Sequence, residues 1–383
     1  NMLRTIPRFA AALLALTLGY SAFALENVTT VDDGRQQELR GEVLVEGSGG
    51  DVLLKTADGA IHRLPPDMQG DRQSDDQPLV MLDKEALAEQ LRTEVSPDFQ
   101  VYQSKHYVIC FNTTRTYAKW CSSLLERLHD AFVSYWKKRG ADVQPPEHPL
   151  IVLVFADQAS YARHARAELG KAVGSIIGYY SFSTNRIVMY DLTGMQALKR
   201  DFGRRGSLHD ISELLSNPAA EPLVATIVHE ATHQISFNCG LQTREVDNPL
   251  WLSEGLAEYF ETPDLSSARS WRGVGRVNYP RWNRFRENYN AGRVFGLEEM
   301  IADDKIFREP ETAVDGYAQA WAWNYFLIRT RSKEYVSYLK EITARPLLKR
   351  DTPAERVADF KRHFGDDINA LEADFYRHMS RID

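Results

Sequence analysis

The sequence predicts an α+β fold: a small β module, then a mixed-sheet half of strands and helices, then a helical half. Three observations predict it. Short strand-like runs separated by turn residues fill the segment before residue 95, strands and helices alternate from Asp98, and strand signals fade after Glu221, where helical spacing takes over. With 383 residues, the chain has room for two or three folding units of roughly 100–200 residues each.

Residues 1–24 read as a secretory signal peptide. Arg4 and Arg8 precede the apolar run Phe9–Leu18, and Ser21-Ala22-Phe23-Ala24 supplies the small residues of a cleavage site after Ala24. The run is about half of the roughly 20 residues a transmembrane helix needs, so the chain meets a membrane only through this segment, if it stays uncleaved. The expectation is an exported protein, periplasmic or secreted. Forty-six Lys+Arg against 53 Asp+Glu give −7. Loss of Arg4 and Arg8 leaves 44 against 53, or −9. Such a chain has no basic surplus to neutralise phosphates, and no nucleic-acid partner is expected. A 43% hydrophobic composition excludes disorder, and a mean hydropathy of −0.40 excludes repeated membrane spans.

In the β module and linker, residues 25–95, Glu42–Val45, Asp51–Lys55 and Ala60–Leu64 are strand candidates, with turn chemistry at Gly47–Gly50 and Asp58-Gly59. Pro65-Pro66 and the polar Gly70–Gln77 follow as loop, and Lys84–Val95 as a linking helix. Residues 96–383 form the larger domain. Tyr102–Phe111 reads as a strand, Tyr117–Arg139 as an amphipathic helix, Leu150–Phe155 as a buried strand and Ser160–Glu168 as a helix. Ile176–Phe182 and Asn185–Tyr190 read as a hairpin. Tyr317–Ile328, Tyr335–Ile342 and Ile368–Met379 carry helical spacing. Of three cysteines, Cys110 and Cys121 could bridge a strand-to-helix turn, leaving Cys239 over. The alternative is three buried thiols.

The chemistry concentrates in Val228-His229-Glu230-Ala231-Thr232-His233. On a helix, residues four apart differ by about 40° in azimuth, so His229 and His233 project from one face and can hold a single zinc ion. Glu230 lies one position round, placed to take a proton from a water on that ion without occupying it. A catalytic zinc wants three protein ligands and one open position, and a carboxylate from a second helix is the usual third.

The downstream segment Trp251-Leu252-Ser253-Glu254-Gly255, with 20 residues between His233 and Glu254, resembles the gluzincin zinc metallopeptidases in the form found in alanyl aminopeptidases. The resemblance implies a zincin-like fold, one Zn2+ ion and Glu254 as third ligand. It puts Glu258 where the clan places a carboxylate that orients the first histidine; Glu261 falls one residue off that face, toward solvent. Gluzincins commonly set a Tyr or His against the oxyanion, and the candidate is Tyr317. Its Tyr317-Ala318-Gln319 segment is similar to one in bacterial exported gluzincin-like domains of unassigned function. Asn185–Tyr190 takes the place of the clan's substrate-binding edge strand, where Arg186 either attracts a substrate carboxylate or is simply solvated.

The resemblance is specific over about 35 residues and does not reach the β module. No Gly-x-Met-Glu-Asn segment is present, so aminopeptidase specificity is not implied, and Ser253 stands where Asn is usual. The expectation is an exported zinc metallopeptidase acting on peptides or proteins of the cell envelope. Two alternatives stand beside it. One is an envelope scaffold or binding protein whose zinc is structural or occluded, for instance by His209 from the Asp201–Asn217 loop. The other is hydrolysis of a non-protein amide or ester.

Overall fold

The computed structural model describes residues 25–32, 35–75, 77–194, 207–265 and 271–382. The expected leader lies outside the described residues, as does the first part of the Asp201–Asn217 loop. Within them the fold is α+β with two five-stranded sheets, and no helix is long and apolar enough to cross a membrane.

The first sheet is antiparallel throughout, in the order β4-β3-β2-β1-β5, from β1 (Leu25–Asp32), β2 (Arg35–Glu46), β3 (Val52–Thr56), β4 (Ile61–Leu64) and β5 (Gln69–Asp75). Its core is small: Val28, Val52, Leu54 and Leu64. The stretch read as loop from Gly70 is largely β5, a polar edge strand without the apolar alternation that marks a half-buried one. β1 escapes the sequence patterning for the same reason.

The second sheet is mixed, in the order β6-β7-β8-β10-β9. β7 (Tyr107–Phe111), β8 (Leu150–Phe155) and β10 (Arg186–Tyr190) run parallel at its centre and are buried at every position, as unbroken Val/Ile/Leu runs require. β6 (Gln100–Gln103) and β9 (Gly178–Ser181) flank them antiparallel. The single strand expected over Tyr102–Phe111 is thus two, broken by the polar turn Ser104-Lys105-His106, where the Ser104 N–H reaches the Tyr107 carbonyl. A second correction concerns the edge. β10 is interior, and the edge on its side is β9.

Helices α1 (Lys84–Glu94) and α3 (Gln158–Leu169) cover one face of this sheet, while α2 (Arg115–Lys137) lies on the other with the helical half. Asp83, Thr114 and Asp157 cap the three helices by accepting backbone N–H groups. The sheet decides the cysteine question. Cys110 points into the α1/α3 core and Cys121 into the α2 core, so the sheet stands between them, and all three cysteines are buried free thiols.

The helical half comprises α4 (Leu208–Leu215), α5 (Glu221–Asn238), α6 (Leu250–Phe260), α7 (Tyr279–Asn290), α8 (Leu297–Ala302), α9 (Lys305–Arg308), α10 (Ala313–Thr330), α11 (Ser332–Thr343), α12 (Pro353–Phe364) and α13 (Ile368–Met379). Trp136, Trp251, Trp321 and Trp323 are wholly buried in the main core it shares with α2.

The β module is seated on the second sheet by its β3–β4 turn. Asp58 accepts from the Arg186 guanidinium at 3.0 Å, Gly59 offers its carbonyl to Arg244 at 2.7 Å, and Ile61 donates its N–H to the Ser183 carbonyl at 2.7 Å. Arg186 is therefore neither a substrate anchor nor a solvated strand end. It is 5% exposed and ion-paired to Asp58 and to Glu94 of α1.

Candidate metal centre

Helix α5 carries Pro222 in its first turn and stops just before Gly240, whose φ of 79° is left-handed. That frame puts His229 and His233 on one face, with ring centroids 4.8 Å apart. Glu254 reaches them from α6. This approach needs Gly255, because a Cβ there would lie 2.0 Å from Asn324 Nδ2 and 2.6 Å from the Ala320 carbonyl of α10. Asn324 in turn donates to the carbonyls of Trp251 and Ala320, both at 2.8 Å, and accepts from the Tyr335 hydroxyl. The α6–α10 contact is thus a clamp that fixes the carboxylate's height against α5.

The donor atoms converge. His229 Nε2 lies 3.1 Å from Glu254 Oε2 and 3.2 Å from His233 Nε2, and His233 Nε2 lies 3.5 Å from the same oxygen. Donors at 2.0–2.1 Å from a tetrahedral ion are separated by about 3.3 Å. The triad fits zinc in both donor set and spacing. The carboxylates and the imidazoles act on one another: burial works to lower His229, but Glu254 and Glu261 outweigh it and raise it well above the usual imidazole range. Burial works to raise the Glu254 carboxyl, but His233 and His229 outweigh it and hold Glu254 well below the usual carboxylate range.

Glu230 sits beside the triad, and one of its oxygens accepts the backbone N–H of Tyr180, on edge strand β9, at 2.8 Å. Burial pushes its carboxyl above the ordinary glutamate value, against the pull of His229 and His233. These residues line a cleft of about 340 Å³ together with Phe182, Thr226, Glu261, Arg281 and Tyr317. Tyr317 is half-buried at the start of α10, where burial, Glu254 and Glu258 all raise its phenol, and the Arg281 guanidinium lies 5.9 Å from its ring. His209 is exposed on α4, and among the described residues the ligand group at this centre is His229, His233 and Glu254.

Around the first histidine the arrangement departs from expectation. The carboxylate beside His229 Nδ1 is Glu261, at 3.5 Å, while Glu258 is fully buried and paired at 3.0 Å with Arg281. Burial pushes Glu258 up and Arg281 opposes it. Glu261, placed in solvent by the sequence reading, is instead a cleft residue. Seven residues are about two helical turns, so Glu261 lies only some 20° from the azimuth of Glu254. That arithmetic could have found it. Arg281, on α7, and Phe182, just past β9, carry no local spacing signal and enter the cleft only through tertiary structure.

The model of a protein family described as a protein of unknown function (DUF1570) matches residues 223–349. The matched stretch holds His229, Glu230, His233, Glu254, Glu261, Arg281 and Tyr317, and leaves out both sheets and Phe182. Comparison with curated proteins gives no match.

Proposed function

We propose that the chain is an exported zinc-dependent hydrolase of the gluzincin type, with a zincin-like fold, that cleaves peptide bonds of peptides or proteins in the cell envelope. The observation that carries this reading is the convergence of three donor atoms within 3.5 Å beside the Glu230 carboxylate, in an open cleft. Zinc bound by His229, His233 and Glu254 would supply Lewis acidity, polarising a carbonyl and making water nucleophilic near neutral pH.

The chain's own residues account for the proton movements. Glu230, oriented by the Tyr180 N–H, accepts a proton from the attacking water and returns it to the leaving amine. Its raised affinity for protons suits the first step. Tyr317 stays protonated, since burial raises its phenol, and can donate to the oxygen on which negative charge develops. Three protein donors among the described residues, in place of four, support the catalytic reading over the structural one.

The test is cleavage of a diverse peptide library, run beside non-peptide amides and esters, by the full chain supplemented with zinc. Glu230→Gln should retain zinc and lose turnover by roughly 10²- to 10⁴-fold. Undiminished hydrolysis by that variant sinks the mechanism, and a fourth protein ligand on the bound ion moves the assignment to a structural site.

A further inference from the structure

A second group of metal-binding side chains lies outside the cleft, where the turn after β6 meets α2. His106 comes from the turn, and Glu126, His129 and Asp130 come from the helix. Glu126 grips His106 twice. One oxygen accepts the His106 backbone N–H at 2.7 Å and the Ser104 hydroxyl at 2.6 Å, and the other meets His106 Nδ1 at 2.6 Å. An ionised carboxylate only accepts, so Nδ1 is the donor, and Nε2 is the nitrogen that the neutral ring offers to a metal. A histidine whose other nitrogen donates to a carboxylate is the usual form of a metal-ligating histidine.

His129 stacks on His106, with ring centroids 3.8 Å apart and planes inclined by 29°. It is 4% exposed, and its Nε2 has no hydrogen-bond partner. A buried nitrogen left so has given up its hydrogen bond to water without a replacement, a loss that a bound ion would offset. His129 Nδ1 is 3.5 Å from Asp130 Oδ1, and one donor atom from each of His106, His129 and Asp130 lies within 4.8 Å of the others. The Asp130 side chain is 64% exposed, and the cation near it is Lys105, with Nζ at 3.9 Å.

We propose that His106, His129 and Asp130 form a second site for a divalent ion of the imidazole-preferring class to which zinc belongs. The stacked rings hold their lone pairs side by side, so this site is looser than the cleft triad and binds more weakly. It pins the β6–β7 turn to α2.

The test counts Zn2+, added alone, on the full chain by equilibrium dialysis. Wild type should bind two ions, the second more weakly. His233→Ala should keep the weaker ion, and Asp130→Ala should weaken that ion by about tenfold or more while leaving the tighter one. Asp130 is exposed, so its variant folds even where a change at buried His129 does not. A single wild-type ion that His233→Ala abolishes and Asp130→Ala spares overturns the proposal, as does a second ion indifferent to Asp130. A single ion lost in Asp130→Ala and kept in His233→Ala supports it and counts against zinc in the cleft.

Discussion

Two walls face each other across the cleft, and they are held by different means. On the helical side, α5 and α6 set His229, His233, Glu254 and Glu261 by helix periodicity, and α10 locks α6 at Gly255. On the sheet side, β9 presents the Tyr180 N–H to Glu230 and continues into Phe182, whose carbonyl is held by Arg244 at 3.0 Å. That side depends on partners far away in sequence: Arg186 meets Asp58 across 128 residues, and Arg244 meets Gly59 across 185. The helical wall is built locally, while the sheet edge that holds Glu230 is braced by the β module.

The comparison breaks most sharply at Gly255. Alanine there drives a methyl into Asn324 and the Ala320 carbonyl, and Asn324 cannot yield because its amide and carbonyl are committed to Trp251, Ala320 and Tyr335. Overpacking of this kind should destabilise the chain by about 3 kcal/mol, at the upper end of its usual range. Urea denaturation measures it. A change under half a kcal/mol would mean that the two helices do not meet as closely as the ligand wall requires.

The sheet-side wall should respond to Asp58→Asn. Breaking a buried ion pair costs about 3–5 kcal/mol, but Glu94 stays on Arg186, so a loss of about 2 kcal/mol is expected. The effect should depend on pH. Burial works to raise Asp58, yet its bonds from Thr56 and Arg186 hold it below its ordinary value of 3.8. A carboxyl lowered in the folded state contributes stability that is full above pH 3.8 and is lost as pH falls through the folded value. The gap between wild type and Asp58→Asn, read from denaturation midpoints, should therefore be widest near neutrality and close in acid. A gap that widens below pH 3.8 would reverse the assignment.

The same contrast explains what could be read from the sequence. Four-residue spacing put both histidines and Glu230 together because the argument needs only a helix, and resemblance to a known motif supplied Glu254. Arg186 could not be read. Its neighbours Asn185 and Ile187 say nothing of a turn 128 residues earlier, and only the fold shows that β10 lies inside the sheet, between β8 and β9. β1 and β5 went unseen because polar strands on an open antiparallel sheet lack apolar periodicity. Cys110 and Cys121 looked close along the chain, but strand alternation sends Cys110 to the face opposite Ile109 and Phe111.

The smallest expected effect sharpens the ligand wall itself. Two carboxylates, Glu258 and Glu261, stand near His229, and they divide the work. Glu258, at 3.0 Å, supplies the counter-charge of Arg281, whereas Glu261 faces both His229 Nδ1 at 3.5 Å and Arg281 at 3.7 Å. If Glu261 keeps the proton on Nδ1, so that Nε2 points its lone pair toward the ligand triad, then Glu261→Gln should weaken zinc by roughly tenfold, the low end for such a partner. Competition against a zinc-chelating dye reads this without any turnover. Glu258→Gln should instead lower thermal stability, because it leaves Arg281 without its closest carboxylate, and change zinc affinity less than Glu261→Gln does. The reverse ranking of the two variants in zinc affinity would return the orienting role to Glu258 and show that the 3.5 Å approach of Glu261 is incidental.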